Sequence, residues 1–314
     1  MTRRRRTAPR GVPRGFTLVE LLVSMTVGVI VLGIATSFAL GAWRGDRRQR
    51  TVDAIARDSR FVGMALARDV QDAGISLESL HYFGSLATRN DTVLTLSVPF
   101  DPTEAPTYDM APPAVSVPDP IPAGGECGPA CIRFRKQAGA FRMAAGDAAV
   151  MQVGGVRRMV ILTDVRDNGP TVDVSIRTDT AIFVFPAAFA DGLRLPHTGV
   201  TLQRLNVTGW FRQPGTNTLF RIDGVRTDGT FRAAAVARGV EQWQARLLFT
   251  DGVERPIADG ANVDTLDDYN RITSLVVRAR LRSDTTLPGT PAIVRRHEWR
   301  ITPRNLTYER NRQL

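Results

Sequence analysis

The most regular pattern along the chain is an uncharged apolar run near its beginning. Residues 21–43 contain no charged residue and no proline. At about 1.5 Å per residue, this run forms a helix of roughly 34 Å, which is long enough to cross the hydrocarbon core of a bilayer. Glu20 lies immediately before the run. The pattern therefore predicts a membrane helix that begins with one carboxylate.

A second apolar pattern follows, with the spacing of an amphipathic helix. Small and apolar residues recur every three or four positions, with Arg and Asp between them. Such a stripe is typical of a helix that packs on a globular domain, and Gly74 is a suitable C-terminal stop. Residues 16 to about 74 are thus predicted to form one long helix. The stripe consists of Val52, Ile55, Ser59, Val62, Leu66, Val70 and Ala73.

From residue 76 onward, the apolar period changes from that of a helix to that of a strand. Apolar and polar residues alternate in many short segments, such as residues 241–249 and 275–281, which is typical of antiparallel sheet. The predicted fold class is α+β, with a long N-terminal helix packed on an antiparallel β-sheet domain. About 240 residues suffice for one elaborated domain or two subdomains. The predicted hairpin tips are Asn168-Gly169, Asp228-Gly229 and Asp251-Gly252, where glycine permits a positive φ.

Charge gives the predicted membrane helix a direction. Residues 1–15 hold six arginines and no acid, so the positive-inside rule predicts a cytoplasmic N-terminus and an extracytoplasmic sheet domain. Removing these six arginines lowers the formal charge from +10 to +4, so the basic balance is mainly a topology signal. The arginines are Arg3, Arg4, Arg5, Arg6, Arg10 and Arg14.

A proline-rich segment interrupts the predicted strands. Nine of the 19 prolines lie between Pro99 and Pro129, which predicts a long surface loop over residues 99–131. The two cysteines, Cys127 and Cys131, lie at its end. An oxidising extracytoplasmic space favours a disulfide between them. A redox pair normally has two intervening residues and a zinc site needs further ligands, so these alternatives are weaker.

The remaining arginines alternate with apolar residues, as in Arg278-Ala279-Arg280-Leu281-Arg282. This alternation is typical of a solvated sheet face. A DNA-binding stripe is the alternative interpretation, but no nucleic-acid motif accompanies it.

Candidate catalytic and metal-binding residues are few. His81, His197 and His297 are isolated from one another, and the chain has neither a Gly-x-Ser-x-Gly elbow nor a phosphate-binding loop. An acidic loop lacks the spacing of a defined calcium site. The sequence therefore predicts a protein that is not an enzyme and has no cofactor or metal. The acidic loop contains Asp259, Asp264, Asp267 and Asp268.

The basic leader, the Gly15-Phe16 junction, Glu20 and the apolar helix together resemble the class III signal of type IV pilins and pseudopilins. The resemblance implies that prepilin peptidase cuts between Gly15 and Phe16, and that Phe16 becomes a methylated N-terminus. It also implies that Glu20 meets the amine of Phe16 on a neighbouring subunit during filament assembly. The alternative is that Glu20 reaches the lipid head groups and has no assembly role.

Three later segments, residues 60–74, 239–246 and 272–283, loosely resemble PilW-like minor pilins. This implies a single-pass inner-membrane protein with a cytoplasmic N-terminus and a periplasmic domain. It also implies that the protein then joins a cell-surface pilus, in which its N-terminal helix contacts other major and minor pilins. Two features depart from the major-pilin pattern. The two cysteines do not lie near the C-terminus, and Ser37 stands where many major pilins have proline. The implied division is a leader (1–15), a membrane and filament-core helix (16–43), an amphipathic continuation (44–75) and a β-rich domain (76–314).

Other functions remain open at this point. A minor pseudopilin of a type II secretion system would use the same helix with different partners. If the chain were instead a signal-anchored envelope enzyme or binding domain, Glu20 would have no assembly role. Binding of the sheet domain to DNA or to a surface is also open. An ordinary secretory signal with a cut near Ala39-Leu40-Gly41 is disfavoured, because the apolar run is longer than a usual signal core of 7 to 15 residues.

Overall fold

The structure is a computed structural model, and it describes residues 17–101, 103–112, 127–128, 130–136, 140–177, 183, 195–196, 198–260, 265–283 and 292–305. These residues form one α-helix, α1 (Leu18–Asp72), and fourteen β-strands. The internal contacts divide the chain into two compact units, Met1–Asp53 and Ala54–Leu314. The α+β fold class predicted from the sequence is confirmed.

The helix α1 runs without interruption through Gly28, Gly33 and Ser37. It ends at Asp72, and Gly74 follows with φ of +80°, the left-handed conformation that glycine adopts at helix ends. The Gly74 N–H donates to the carbonyl oxygen of Leu96 at 2.9 Å. The predicted long helix and its stop are therefore present, with the described helix beginning at Leu18.

Ten strands form the first antiparallel sheet. Its longest strand, β8, pairs with β5 through its first half and with β2 and β9 through its second half. It thereby connects two groups of strands. The strands are β1 (Leu86–Arg89), β2 (Thr92–Ser97), β3 (Tyr108–Asp109), β4 (Cys131–Arg135), β5 (Ala148–Val153), β6 (Val156–Asp167), β7 (Thr171–Ile176), β8 (Val200–Gln213), β9 (Thr218–Val225) and β10 (Phe231–Ala237).

Six of these strands close into a ring in the order β3-β8-β5-β6-β7-β4. The closure is short: Met110 bridges to Phe134, and the Ala111 N–H donates to the carbonyl oxygen of Arg133 at 2.9 Å. Tyr108, from the segment predicted as a surface loop, is 2% exposed inside the ring. The backbone N–H groups of Met110 and Ala111 pair with neighbouring strands, so this part of the proline-rich segment belongs to the core. Residues 113–126 of the predicted loop lie outside the described part of the chain.

The hairpin formed by β5 and β6 is buried on both faces. Ala149, Met151 and Val160 face the core of the ring, whereas Val150 and Ile161 belong to the main core under the helix. The sequence of a strand that is buried on both faces is a continuous apolar run and does not alternate between apolar and polar residues. This explains why residues 148–151 and 159–162 lack the alternation that predicts the other strands.

Four strands form the second antiparallel sheet, in the order β12-β11-β13-β14. Their alternation matches the prediction, because Trp243 and Ala245 on β11 and Val277 on β13 are buried. All three predicted hairpin tips are confirmed: Gly169, Gly229 and Gly252 have positive φ at the turns β6–β7, β9–β10 and β11–β12. The strands are β11 (Val240–Phe249), β12 (Glu254–Arg255), β13 (Ile272–Arg282) and β14 (Val294–Ile301).

The last part of α1, within the second unit, packs on the main core through the predicted stripe. Ile55, Val62, Leu66 and Val70 are all less than 9% exposed, as are Ser59 and Ala73. Val52, the first residue of the predicted stripe, belongs to the first unit and is half-buried. Gly63 allows the closest approach, since a Cβ at this position would lie 2.5 Å from the indole nitrogen of Trp299. The stripe therefore brings the helix backbone directly against the second sheet.

A buried carboxylate fixes the register of the helix on the first sheet. Asp69 accepts hydrogen bonds from Trp210 Nε1 at 2.8 Å and from Arg221 Nε and Nη2 at 2.8 and 2.7 Å. Trp210 is fully buried, and the hydrogen bond to Asp69 raises the pKa of Arg221. One carboxylate on the helix therefore accepts three hydrogen bonds from two strands of the first sheet, β8 and β9.

We predict that Asp69→Ala lowers the free energy of unfolding by about 3 kcal/mol, because it leaves a buried indole N–H and a half-buried guanidinium without their acceptor. Asp69→Asn should lie between wild type and Asp69→Ala. Urea unfolding of the full chain in detergent, followed by tryptophan fluorescence, measures the change.

The matched control for this prediction is Asp72→Ala, one helical turn away. Its weak pair with Arg68, at 4.0 Å, is largely exposed, so the expected change is below about 0.5 kcal/mol. Equal effects of the Asp69 and Asp72 variants would contradict the anchoring role of Asp69.

Candidate functional site

The start of α1 is closed by a reciprocal pair of side chains. The Glu20 N–H donates to Thr17 Oγ1 at 3.3 Å, and the Thr17 N–H donates to Glu20 Oε2 at 3.0 Å. The Thr17 hydroxyl also donates to Oε2, at 3.0 Å. This is the capping-box arrangement, in which the side chains satisfy backbone donors that the first helical turn leaves unpaired.

The cap uses one carboxylate oxygen of Glu20 and leaves the other one available. Both bonds from Thr17 go to Oε2, and within the described residues Oε1 accepts no hydrogen bond. Glu20 is also exposed. The carboxylate can therefore hold the helix start and accept a bond from another group at the same time.

The apolar side chains of the first unit are exposed along the helix. Their exposed fractions range from 47% for Leu40 to 79% for Phe38. The helix is long and apolar enough to cross a membrane. Because such a surface is unfavourable in water, it needs a bilayer or other apolar helices around it.

The hydroxyl groups in this segment are satisfied inside the helix. Ser24, Thr26, Thr36 and Ser37 each donate to a backbone carbonyl oxygen three or four residues earlier, at 2.7 to 2.9 Å. Such bonds remove the cost of placing a hydroxyl in hydrocarbon. The polar residues of the run are therefore compatible with an apolar environment.

The predicted cleavage residues, Gly15 and Phe16, lie outside the described part of the chain, so this junction stays a prediction. The described helix starts two residues after Phe16. The structure thus brings Glu20 and Thr17 together, immediately after the predicted junction.

The two cysteines form a disulfide. Cys127 and Cys131 have their Cα atoms 5.5 Å apart, and Cys131 is the first residue of β4. The bridge therefore closes a short loop directly before the strand that completes the ring.

Among the described residues, no group of three or more His, Cys, Asp or Glu side chains is arranged to hold a metal ion. His81 packs edge-on against Tyr82 and His297 stacks on Trp299, whereas His197 and Asp264 lie outside the described residues. Burial and the charge of Arg295 lower the pKa of His297. These described histidines thus have packing roles.

Comparison with known proteins adds one finding about this N-terminal segment. Residues 13–36 match the family model described as the prokaryotic N-terminal methylation motif. No curated protein matches the chain. The motif fits a type IV pilin or pseudopilin that is processed by prepilin peptidase and assembles with other pilins, and together with the apolar helix it fits a membrane-anchored subunit.

Two residues have roles that the sequence interpretation does not predict: Thr17 at this cap, and Asp69 at the contact between α1 and the first sheet. A local signal exists for Thr17, because Thr17-Leu18-Val19-Glu20 has the Thr-x-x-Glu spacing that is typical of a capping box. Asp69 is one of the polar residues that lie between the stripe positions. No local signal identifies it, because its partners Trp210 and Arg221 are about 150 residues away in sequence.

We predict that Thr17→Val, which keeps the side-chain shape but removes the hydroxyl, loosens the first turn of α1. The backbone N–H of Glu20 loses its acceptor, so its hydrogen exchange should accelerate by about three- to tenfold, corresponding to roughly 1 kcal/mol. NMR of the full chain in detergent micelles measures this rate. Thr26→Val is the control, since its hydroxyl bonds only carbonyl groups, and unchanged exchange at Glu20 in Thr17→Val would contradict the cap.

Proposed function

We propose that this chain is a PilW-like minor pilin, a subunit that is processed by prepilin peptidase and incorporated into a type IV pilus through its N-terminal helix. The observation that supports this most is a capped carboxylate at the start of an exposed apolar helix, inside a segment that matches the methylation motif. The chemistry of such a subunit is assembly and not catalysis.

The proposed maturation starts at the Gly15-Phe16 bond. Cleavage there removes the arginine-rich leader, residues 1–15, and exposes the α-amino group of Phe16, which is then methylated. Residues 16–43 hold the subunit in the inner membrane and later in the filament core. The amphipathic continuation (44–75) and the β-rich domain (76–314) lie in the periplasm and then on the pilus.

The proposed role of Glu20 is to bind the amine of Phe16 on a neighbouring subunit. An ionised carboxylate among apolar helices costs several kcal/mol unless a cation neutralises it. The Oε1 atom is available for that contact while Oε2 keeps the cap with Thr17. A subunit in the wrong register would leave both charges unpaired, so the pair favours one axial position of the incoming helix.

The proposed partners are prepilin peptidase and other major and minor pilins. A minor pseudopilin of a type II secretion system would be built in the same way. The loose resemblance of residues 239–246 and 272–283 to PilW-like strands favours the pilus.

We predict that Gly15→Leu blocks processing, because the larger side chain obstructs the small-residue junction. Full-length precursor should then accumulate in the membrane, as measured by intact-mass analysis. Gly11→Leu, which lies in the leader but away from the junction, is the control and should be processed normally. Complete processing of Gly15→Leu would show that the junction is elsewhere.

We predict that Glu20→Gln is cleaved normally but is incorporated into pili at least tenfold less than wild type. The amide keeps the size of the side chain and loses the charge that pairs with the amine. The ratio of subunit in sheared pili to subunit in membranes measures incorporation. Ser24→Ala, one turn further along, should behave as wild type, whereas unchanged incorporation of Glu20→Gln would mean that the acid only reaches the head groups.

A further inference from the structure

The apolar run of α1 ends at a tryptophan that is followed by three arginines. Trp43 is 50% exposed, and the guanidinium carbon of Arg47 lies 3.8 Å from the centre of its ring. Arg44 and Arg48 are close by in sequence, and all three arginines are exposed. Tryptophan is enriched at membrane–water interfaces, where its ring lies at the level of the lipid head groups. These residues therefore lie where the helix leaves the hydrocarbon.

The three arginines lie on the same side of the helix as the tryptophan. At about 100° per residue, Trp43, Arg47, Arg44 and Arg48 occupy an arc of about 140°, which forms a basic face. Arg44 and Arg48 are four residues apart, so their Cβ atoms are about 5 to 6 Å from each other and their like charges repel. The arrangement is therefore unfavourable unless an anion lies against it.

The acids of this segment lie on the opposite side of the helix and are already engaged. Asp46 pairs with Arg50 at 2.8 Å, and Asp53 accepts a hydrogen bond from Gln49 Nε2 at 3.1 Å. In the described part of the chain, no carboxylate pairs with an arginine of the basic face. Three positive charges are thus available to a group outside the helix.

The length of the apolar run places the basic face at the depth of lipid phosphates, if residues 16–43 cross the inner membrane as in the proposed function. The run is roughly 34 Å long, and the hydrocarbon core is about 30 Å thick. The arginines lie within about 7.5 Å of helix beyond Trp43, and the head-group layer on each side is about 5 to 7 Å thick. Because the positive-inside rule disfavours arginines at the translocated end of a membrane helix, their position needs a compensating interaction.

We infer that the basic face binds the phosphates of anionic phospholipids in the outer leaflet of the inner membrane. A guanidinium group can donate two parallel hydrogen bonds to phosphate oxygens, and the contact with Trp43 holds Arg47 in place. A lipid with a net negative charge neutralises the face, whereas a zwitterionic lipid brings a cation of its own. Such binding opposes movement of the helix along its axis and holds the subunit at one depth before it enters a filament.

The test measures lipid binding by native mass spectrometry. The mature full chain, purified in neutral detergent, is titrated with phosphatidylglycerol or with phosphatidylcholine that has the same acyl chains. The fraction of protein with one bound lipid gives the apparent affinity. One arginine near an anionic lipid raises the affinity about fivefold, so Arg44→Gln/Arg48→Gln should bind phosphatidylglycerol about 25-fold more weakly than wild type. Its affinity for phosphatidylcholine should change by less than about threefold.

The matched control is Arg57→Gln/Arg60→Gln, which removes the same charge from two exposed arginines of the same helix, about 20 Å or more beyond Trp43. It should keep the wild-type preference for phosphatidylglycerol. Equal losses in the two double variants, or equal affinities of wild type for the two lipids, would overturn the inference. A normal lipid preference in Arg44→Gln/Arg48→Gln with reduced incorporation into pili would assign the face to acids of a neighbouring subunit and also overturn it.

Intact masses in the same spectra report the N-terminus of each variant, so the lipid site and the proposed function can be separated. A chain that begins at Phe16 and lacks the lipid preference would contradict the lipid site alone. A chain that is cut near residue 41 would contradict the proposed function and, with it, the membrane position of the basic face.

Discussion

The organisation of this chain depends on one constraint, the exposure of an apolar helix that carries one acid at its start. From Leu18 to Trp43 the large apolar side chains are exposed, and the hydroxyl groups of this segment bond back to the helix itself. Such a surface is stable only in lipid or among other apolar helices. Glu20 is the exception, and its cap with Thr17 holds the carboxylate at the helix end, where an amine from another chain can reach it.

In the second unit, the same helix buries its apolar side chains instead of exposing them. There its apolar residues form one buried stripe, and Asp69 binds Trp210 and Arg221 near the C-terminal end of the helix. A carboxylate with three well-placed donors fixes axial position better than an apolar stripe, which tolerates sliding by a turn. Beyond this contact, the ring of six strands adds a second core, and the disulfide of Cys127 and Cys131 closes the loop before its last strand.

The parts of this fold that sequence patterns predicted are those determined by neighbouring residues. The helix stripe, the Gly74 stop, the three hairpin tips and the cysteine pair all follow from spacing or from a single backbone requirement. Ring closure through Met110 and Phe134, the two-faced burial of β5 and β6, and the partners of Asp69 depend on contacts between distant segments. No local period encodes them. Thr17 is different, because its capping spacing was visible in the sequence.

We propose that proteolysis creates the amine that Glu20 binds. The decisive measurement is mass spectrometry of the N-terminal peptide, from protein extracted from the membranes of its natural host. We expect a peptide that begins at Phe16 with one methyl group on its α-amine. A peptide that begins near Ala42, from protein that is released without detergent, would contradict it.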